Sequence, residues 1–173
     1  MLIILTPLKI YMFWRKILMK SVVIYTTRYG STAEVAGKLA GACNADLIDL
    51  AKTNTVNLEQ YDVVFLGSPI FSSNLAGKMK KFCDENSTAL LNKRLYLFIC
   101  CAHEGEEARK QIDVAWPEQL VAHAADKTVL GGAVILEKYN FLIRALMKKL
   151  GIKESFTRID EEAIAKLAGS VNE

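Results

Sequence analysis

Val22-Val23-Ile24-Tyr25-Thr26-Thr27-Arg28-Tyr29-Gly30-Ser31-Thr32 is a run of β-formers that breaks into hydroxyls and a glycine just before helical spacing begins. An apolar run of this length suits a strand buried on both faces, and such strands belong to parallel sheets flanked by helices. Behind it Val35, Ala36, Leu39, Ala40 and Cys43 recur at helical intervals, so the stretch reads as strand, loop and helix start. The Ser31 and Thr32 hydroxyls then fall where a helix leaves its first N–H groups unpaired. Those donors and the positive end of the helix dipole make a site for a phosphate. Gly30 allows a tight turn and a close approach to the backbone. Read alone, the loop also fits a hydroxyl-capped helix that binds nothing.

The spacing aliphatic-aliphatic-Tyr-x-Thr-x-x-Gly-x-Thr-x-x-x-Ala-x-x-Leu, from Val23 through Thr27, Gly30, Thr32 and Ala36 to Leu39, resembles the flavodoxin signature. It is neither the Gly-Lys-Ser/Thr phosphate loop nor the dinucleotide Gly-x-Gly-x-x-Gly. The resemblance implies FMN as cofactor, its 5'-phosphate held by Thr27, Arg28, Tyr29, Gly30, Ser31 and Thr32. A second apolar run, Asp62 to Gly67, opens into Ser68-Pro69-Ile70-Phe71-Ser72-Ser73-Asn74, which is similar to the second flavin-contacting loop of that family. By the same resemblance Ser68, Pro69, Ile70, Phe71, Ser72 and Asn74 frame the flavin ring, with Phe71 over one face. The glycine usual after that aromatic is missing, and Asn74 or a serine would supply the backbone freedom. Phe71 packed on the core as a loop anchor is the other reading.

A fourth strand, Leu95 to Cys101, leads to Ala102-His103-Glu104-Gly105-Glu106-Glu107, and the resemblance puts Ala102, His103, Glu104 and Gly105 on the other side of the ring. His103 has the address of a proton relay, or is simply solvated. The glutamates would disfavour negative charge on the ring, or cap the next helix. Two short helices are expected between Glu106 and Ala125, parted at Trp116-Pro117. A short second strand over Ala45 to Leu50, near an edge, and a fifth over Lys127 to Ala133, reaching as far as Leu136, complete the sheet. Leu75, Met79, Phe82 and Cys83 form the inner stripe of the helix after the second loop. Tyr139, Leu142, Ile143, Leu146, Met147 and Leu150 form another helical stripe, with Arg144, Lys148 and Lys149 opposite. A last helix starts at Asp160 as N-cap and buries Ile164, Leu167 and Ala168.

That extra basic helix between fifth strand and last helix resembles the layout of flavodoxin-like, menaquinone-dependent protoporphyrinogen oxidases, which also begin with a Thr-Arg-x-Gly-x-Thr loop. The likeness implies a porphyrinogen, a quinone or another small molecule as redox partner. An electron-carrier flavodoxin and a non-catalytic interaction module are the alternatives.

The 173 residues fit one domain, 19–173, behind an apolar and basic segment, residues 1–18. Pro7 interrupts that segment, which is too short and broken for a membrane span and reads as an upstream extension or an interfacial anchor. Three of the 22 basic residues, Lys9, Arg15 and Lys16, lie in it without an acid, which leaves 19 against 19 in the domain. A neutral domain argues against nucleic acid as partner; it also departs from the acidic character of carrier flavodoxins. Cys43, Cys83, Cys100 and Cys101 lack metal-ligand spacing, so no metal is expected, and reduced thiols in a cytoplasmic protein are the economical reading. The cations of the Tyr139 to Leu150 helix permit peripheral contact with the inner face of a membrane. The expected fold is α/β, a doubly wound, three-layer sheet of five parallel strands in the order 2-1-3-4-5, with its three loops meeting at one edge.

Overall fold

The first strand, β1 (Ser21–Tyr25), is buried along its whole length, as its unbroken aliphatic run demands. The computed structural model describes residues 19–53, 55–71, 73–149 and 151–172; the 1–18 segment, Ser72 and Leu150 lie outside the described residues. Strand β1 pairs in parallel with the exposed edge strand β2 (Asp46–Asp49) and with β3 (Val63–Phe71). Beyond β3 come β5 (Arg94–Cys100) and β6 (Asp126–Val129), so the parallel path runs β2-β1-β3-β5-β6, the order expected. Register sets Val23 opposite Phe65, and Phe65 opposite Tyr96.

Alternation along these strands divides the core in two. Val22, Ile24, Val64, Leu66, Leu97 and Ile99 pack with Met79 and Phe82 of α2 (Gly77–Leu90), Ile112 of α3 (Gly105–Ala115) and Leu120 of α4 (Glu118–His123). Val23, Tyr25, Phe65, Tyr96 and Phe98 pack with Val35 and Leu39 of α1 (Ser31–Cys43) and with Ile164 and Leu167 of α6 (Glu161–Gly169). The result is three layers, each apolar side chain contributing about 1.5–3 kcal/mol by burial. The break between α3 and α4 falls at Trp116 and Pro117, and the Asp160 carboxylate caps α6 by accepting from Ala163 N–H at 2.9 Å.

Two expectations need correction. The Ser68-Pro69-Ile70 stretch is strand, not loop: β3 continues to Phe71 because β4 (Asn74–Leu75) folds back on it antiparallel while Pro69 stays opposite Cys100. The fifth strand also does not run on from Lys127 to Ala133. It stops at Val129, and β7 (Gly131–Val134) leaves the sheet to pair antiparallel with β8 (Phe156–Ile159). Gly131 makes the departure possible: its φ of 130° suits glycine, and a Cβ there would collide with the Arg158 carbonyl. Between β7 and β8 lie a 3-10 turn, Leu136–Lys138, and α5 (Phe141–Lys149), none of whose residues is buried. The chain rejoins the core where Asp160 N–H meets the Leu130 carbonyl at 3.2 Å.

Candidate functional site

The carboxyl ends of β1 and β3 meet at the point where strand order reverses, the usual address of ligands in open α/β sheets. Thr26 N–H bonds the Gly67 carbonyl at 3.0 Å and its hydroxyl reaches Ser68 Oγ at 3.4 Å, so the two strand ends are stitched together. The turn beyond is closed by Thr27, whose Oγ1 accepts from Gly30 N–H at 3.0 Å. Gly30 has φ 102° with open space around it; backbone conformation, not crowding, calls for glycine there. Gly30 itself is the N-cap of α1, so Ser31 and Thr32 lie in the first turn, where the leading N–H groups are unpaired, and neither hydroxyl caps the helix as the non-binding alternative would have it. The helix's first i to i−4 bond is Glu34 N–H to the Gly30 carbonyl, 3.1 Å, which leaves the N–H groups of Ser31, Thr32 and Ala33 ahead of the ladder.

Thr32 is fully buried, and its hydroxyl has no hydrogen-bond partner. Its polar neighbour is the buried Cys100 thiol, which burial pushes up to about 12; the Thr32 hydroxyl lowers it by less, a weak sulfur contact that does not replace a true partner. An orphaned hydroxyl beneath a helix N-terminus carries the cost of an unmade bond. An anion seated there would relieve that cost, so the residues fit a phosphate.

Around the turn stand three aromatic rings. Tyr29 meets Tyr139 edge to face with centroids 4.7 Å apart, and meets Phe71 likewise at 6.4 Å. The Arg28 guanidinium lies 5.4 Å from both the Tyr29 and Phe71 rings. Lys138 Nζ donates to the Tyr29 carbonyl at 2.8 Å. Burial, and then the neighbouring Tyr29, raise the Tyr139 hydroxyl above its ordinary pKa, while Arg28 opposes them. Flat aromatic walls beside two cations and a helix N-terminus can hold a planar ring bearing a phosphate tail. Lys138 and Tyr139 were not expected here; the aromatic and basic lead-in to α5 was the only signal, and nothing local says where it lands.

The other expected residues are placed as follows. Thr27, Arg28, Tyr29, Gly30, Ser31, Thr32 and Phe71 share the corner. Ser68, Pro69 and Ile70 are buried behind it, the Ser68 hydroxyl accepting from Ala76 N–H at 3.2 Å and donating to the Pro69 carbonyl at 3.0 Å. Ser72 is not described. Asn74 is exposed, and the left-handed residue is Ser73, φ 60°. In the third loop Arg158 donates to the Ala102 carbonyl at 2.7 Å and pairs with Glu104, while His103 Nδ1 lies 3.0 Å from the Glu107 carboxylate. His103, Glu104 and Gly105 line a cavity of about 660 Å³ along β6, between α3 and α6, that includes no residue of the Gly30 turn. Among the described residues no group of three or more side chains is placed to hold a metal. Cys83, Cys100 and Cys101 are buried and Cys43 partly so, all unpaired.

A model of the flavodoxin domain matches residues 22–157, most of the chain. No curated protein matches it. Among solved structures it is similar to oxidised flavodoxin 1 from Bacillus cereus, 20% identical, TM-score 0.55, over 88% of this chain and 97% of that one. The flavodoxin, WrbA-like protein from Agrobacterium tumefaciens is also 20% identical, TM-score 0.54, over 89% of this chain and 98% of its own. Rubredoxin oxygen:oxidoreductase from Desulfovibrio gigas is 16% identical, TM-score 0.51, over 88% of this chain but 37% of its own. At such identities the likeness is one of fold.

Proposed function

The chain belongs to the flavodoxin domain family, and on that premise we propose that it is an FMN-dependent oxidoreductase acting by electron transfer. FMN is the cofactor. The observation that carries the proposal is the Gly30 turn, left-handed and uncrowded, over the buried and unpartnered Thr32 hydroxyl. Thr32, with the leading N–H groups of α1, would hold the phosphate. Tyr29, Phe71 and Tyr139 would offer aromatic contact to the ring, and Arg28 and Lys138 positive charge beside it. Once bound, FMN supplies the electron chemistry; the protein supplies position, electrostatics and exclusion of water.

The finer reading is a small-molecule partner, a quinone or a porphyrinogen. It rests on the segment between β7 and β8, which brings Lys138 and Tyr139 to the mouth of the site, where a carrier working through protein partners needs no such cover. A one-electron carrier is the second reading, and the near-neutral domain disfavours it.

Titration of the purified protein with FMN tests the proposal. Flavin absorbance that co-elutes with the protein supports it, and a colourless protein recovered from excess FMN overturns it. Turnover of protoporphyrinogen with menaquinone, set against simple quinones, then tests the finer reading.

A further inference from the structure

Helix α5 is amphipathic, yet the protein covers only part of its apolar surface. Phe141, Leu142 and Leu146 are 76%, 65% and 54% exposed. At 100° per residue these three and Ala145 share one side of the helix, while Ile143 and Met147, partly buried, turn the opposite way. From Lys138 to Lys153 the chain carries Lys138, Arg144, Lys148, Lys149 and Lys153 and no acid; Glu137 and Glu154 bracket it. Lys138 is committed to the Tyr29 carbonyl and Arg144 Nε to the Leu136 carbonyl. Lys148, Lys149 and Lys153 form no ion pair among the described residues. Lys148 lies at the border of the apolar side and Lys149 at its C-terminal end.

We infer that α5 docks in the plane of an anionic lipid surface, with Phe141, Leu142 and Leu146 entering the headgroup boundary and the lysines meeting lipid phosphates. An exposed apolar stripe bordered by cations is the pattern of an interfacial helix. A second copy of the chain is a poor occupant. A two-fold contact would set this cationic segment against itself, and three side chains fall well short of the roughly 800 Å² a side that a stable protein interface buries. The docking does not rest on the flavin reading, but one consequence does. Tyr139 contacts Tyr29 two residues before α5 begins, so a docked α5 holds the cofactor corner against the bilayer, where a lipid-soluble substrate would enter from the membrane.

The test is co-sedimentation of the full chain with phosphatidylcholine vesicles, with and without phosphatidylglycerol. Binding is expected only to anionic vesicles and to be weakened by salt. Leu142→Glu with Leu146→Glu, both exposed and outside the cofactor corner, should reduce it at least tenfold. Lys148→Gln with Lys149→Gln should reduce it by roughly thirtyfold, at the usual contribution of a cation near such a surface. FMN binding by either variant should match the parent. No binding to anionic vesicles overturns the inference. So does binding that the Leu142 and Leu146 changes leave intact, which would assign it elsewhere in the chain, or a dimer that those changes dissociate. Loss of FMN absorbance in the parent protein would defeat the flavin reading and leave the docking standing.

Discussion

Lys138 Nζ and the Tyr29 carbonyl, 2.8 Å apart and 109 positions distant in sequence, tie the Gly30 turn to a segment that lies outside the main sheet. The bond orders the turn from outside while Thr27 closes it from within. Lys138→Met keeps the stem and removes the donor. FMN affinity should fall about fivefold, close to 1 kcal/mol for an exposed charge-assisted bond, with the melting temperature of the apo-protein nearly unchanged. Fluorescence quenching of FMN measures the first and thermal unfolding the second; an unaltered affinity would detach this lysine from the site.

Thr32 makes a two-sided prediction. Thr32→Val removes an unpartnered buried hydroxyl and keeps the shape, so the apo-protein should be as stable as the parent or more so, by up to about 1 kcal/mol. The same change should weaken FMN by about 1.5–3 kcal/mol, the range for a hydrogen bond to a charged group. Unchanged affinity would mean that the phosphate sits elsewhere.

At Gly132 a Cβ would collide with the backbone carbonyl of Cys101, which cannot swing aside as a side chain can. Gly132→Ala should therefore destabilise the protein by about 3 kcal/mol through overpacking and push β7 off the end of β5. Denaturant unfolding measures the cost. A loss below about 1 kcal/mol would mean that the ribbon is held more loosely than its contacts indicate.

Tyr61 donates to the Asp46 carboxylate at 2.8 Å. Burial, then that bond, push its hydroxyl up to about 12 from an ordinary 10.0. A group whose folded pKa is raised stabilises fully below the unfolded value, so the contribution is intact to about pH 10 and is lost as pH climbs through 12. Asp46, depressed mainly by the same bond and then by Lys20, behaves the opposite way: its share is present above the ordinary 3.8 and fades as pH falls. Tyr61→Phe should abolish the phenolate that appears near pH 12 and cost about 1 kcal/mol at neutral pH, since Asp46 is half exposed. Absorbance titration of parent and variant reads the first effect and urea unfolding the second.

Strand β1, the Gly30 turn and the Asp160 cap of α6 are local: an apolar run, a glycine and an N-cap followed by acids each imply their own geometry. Strand order follows from handed crossovers once the strands are counted. What stayed hidden is non-local. Strand β8 is four residues, Phe-Thr-Arg-Ile, with no burial pattern of its own, and exists because β7 lies alongside. Ser68 to Ile70 looked like a loop because proline and serine mark turns, yet the β4 fold-back keeps them extended. The helical period of α5 was legible, but periodicity says that an apolar side exists and not that the protein leaves it uncovered.

The excursion from Gly131 to Ile159 departs and returns at one place, its two ends pinned by the bond between Asp160 N–H and the Leu130 carbonyl. Topologically it is a detachable cassette: excising it and joining the ends by a short turn would cost the parallel sheet none of its strands. The Gly30 turn would fare worse than the sheet: without the excursion it loses the Lys138 donor and the Tyr139 ring that brace it from outside.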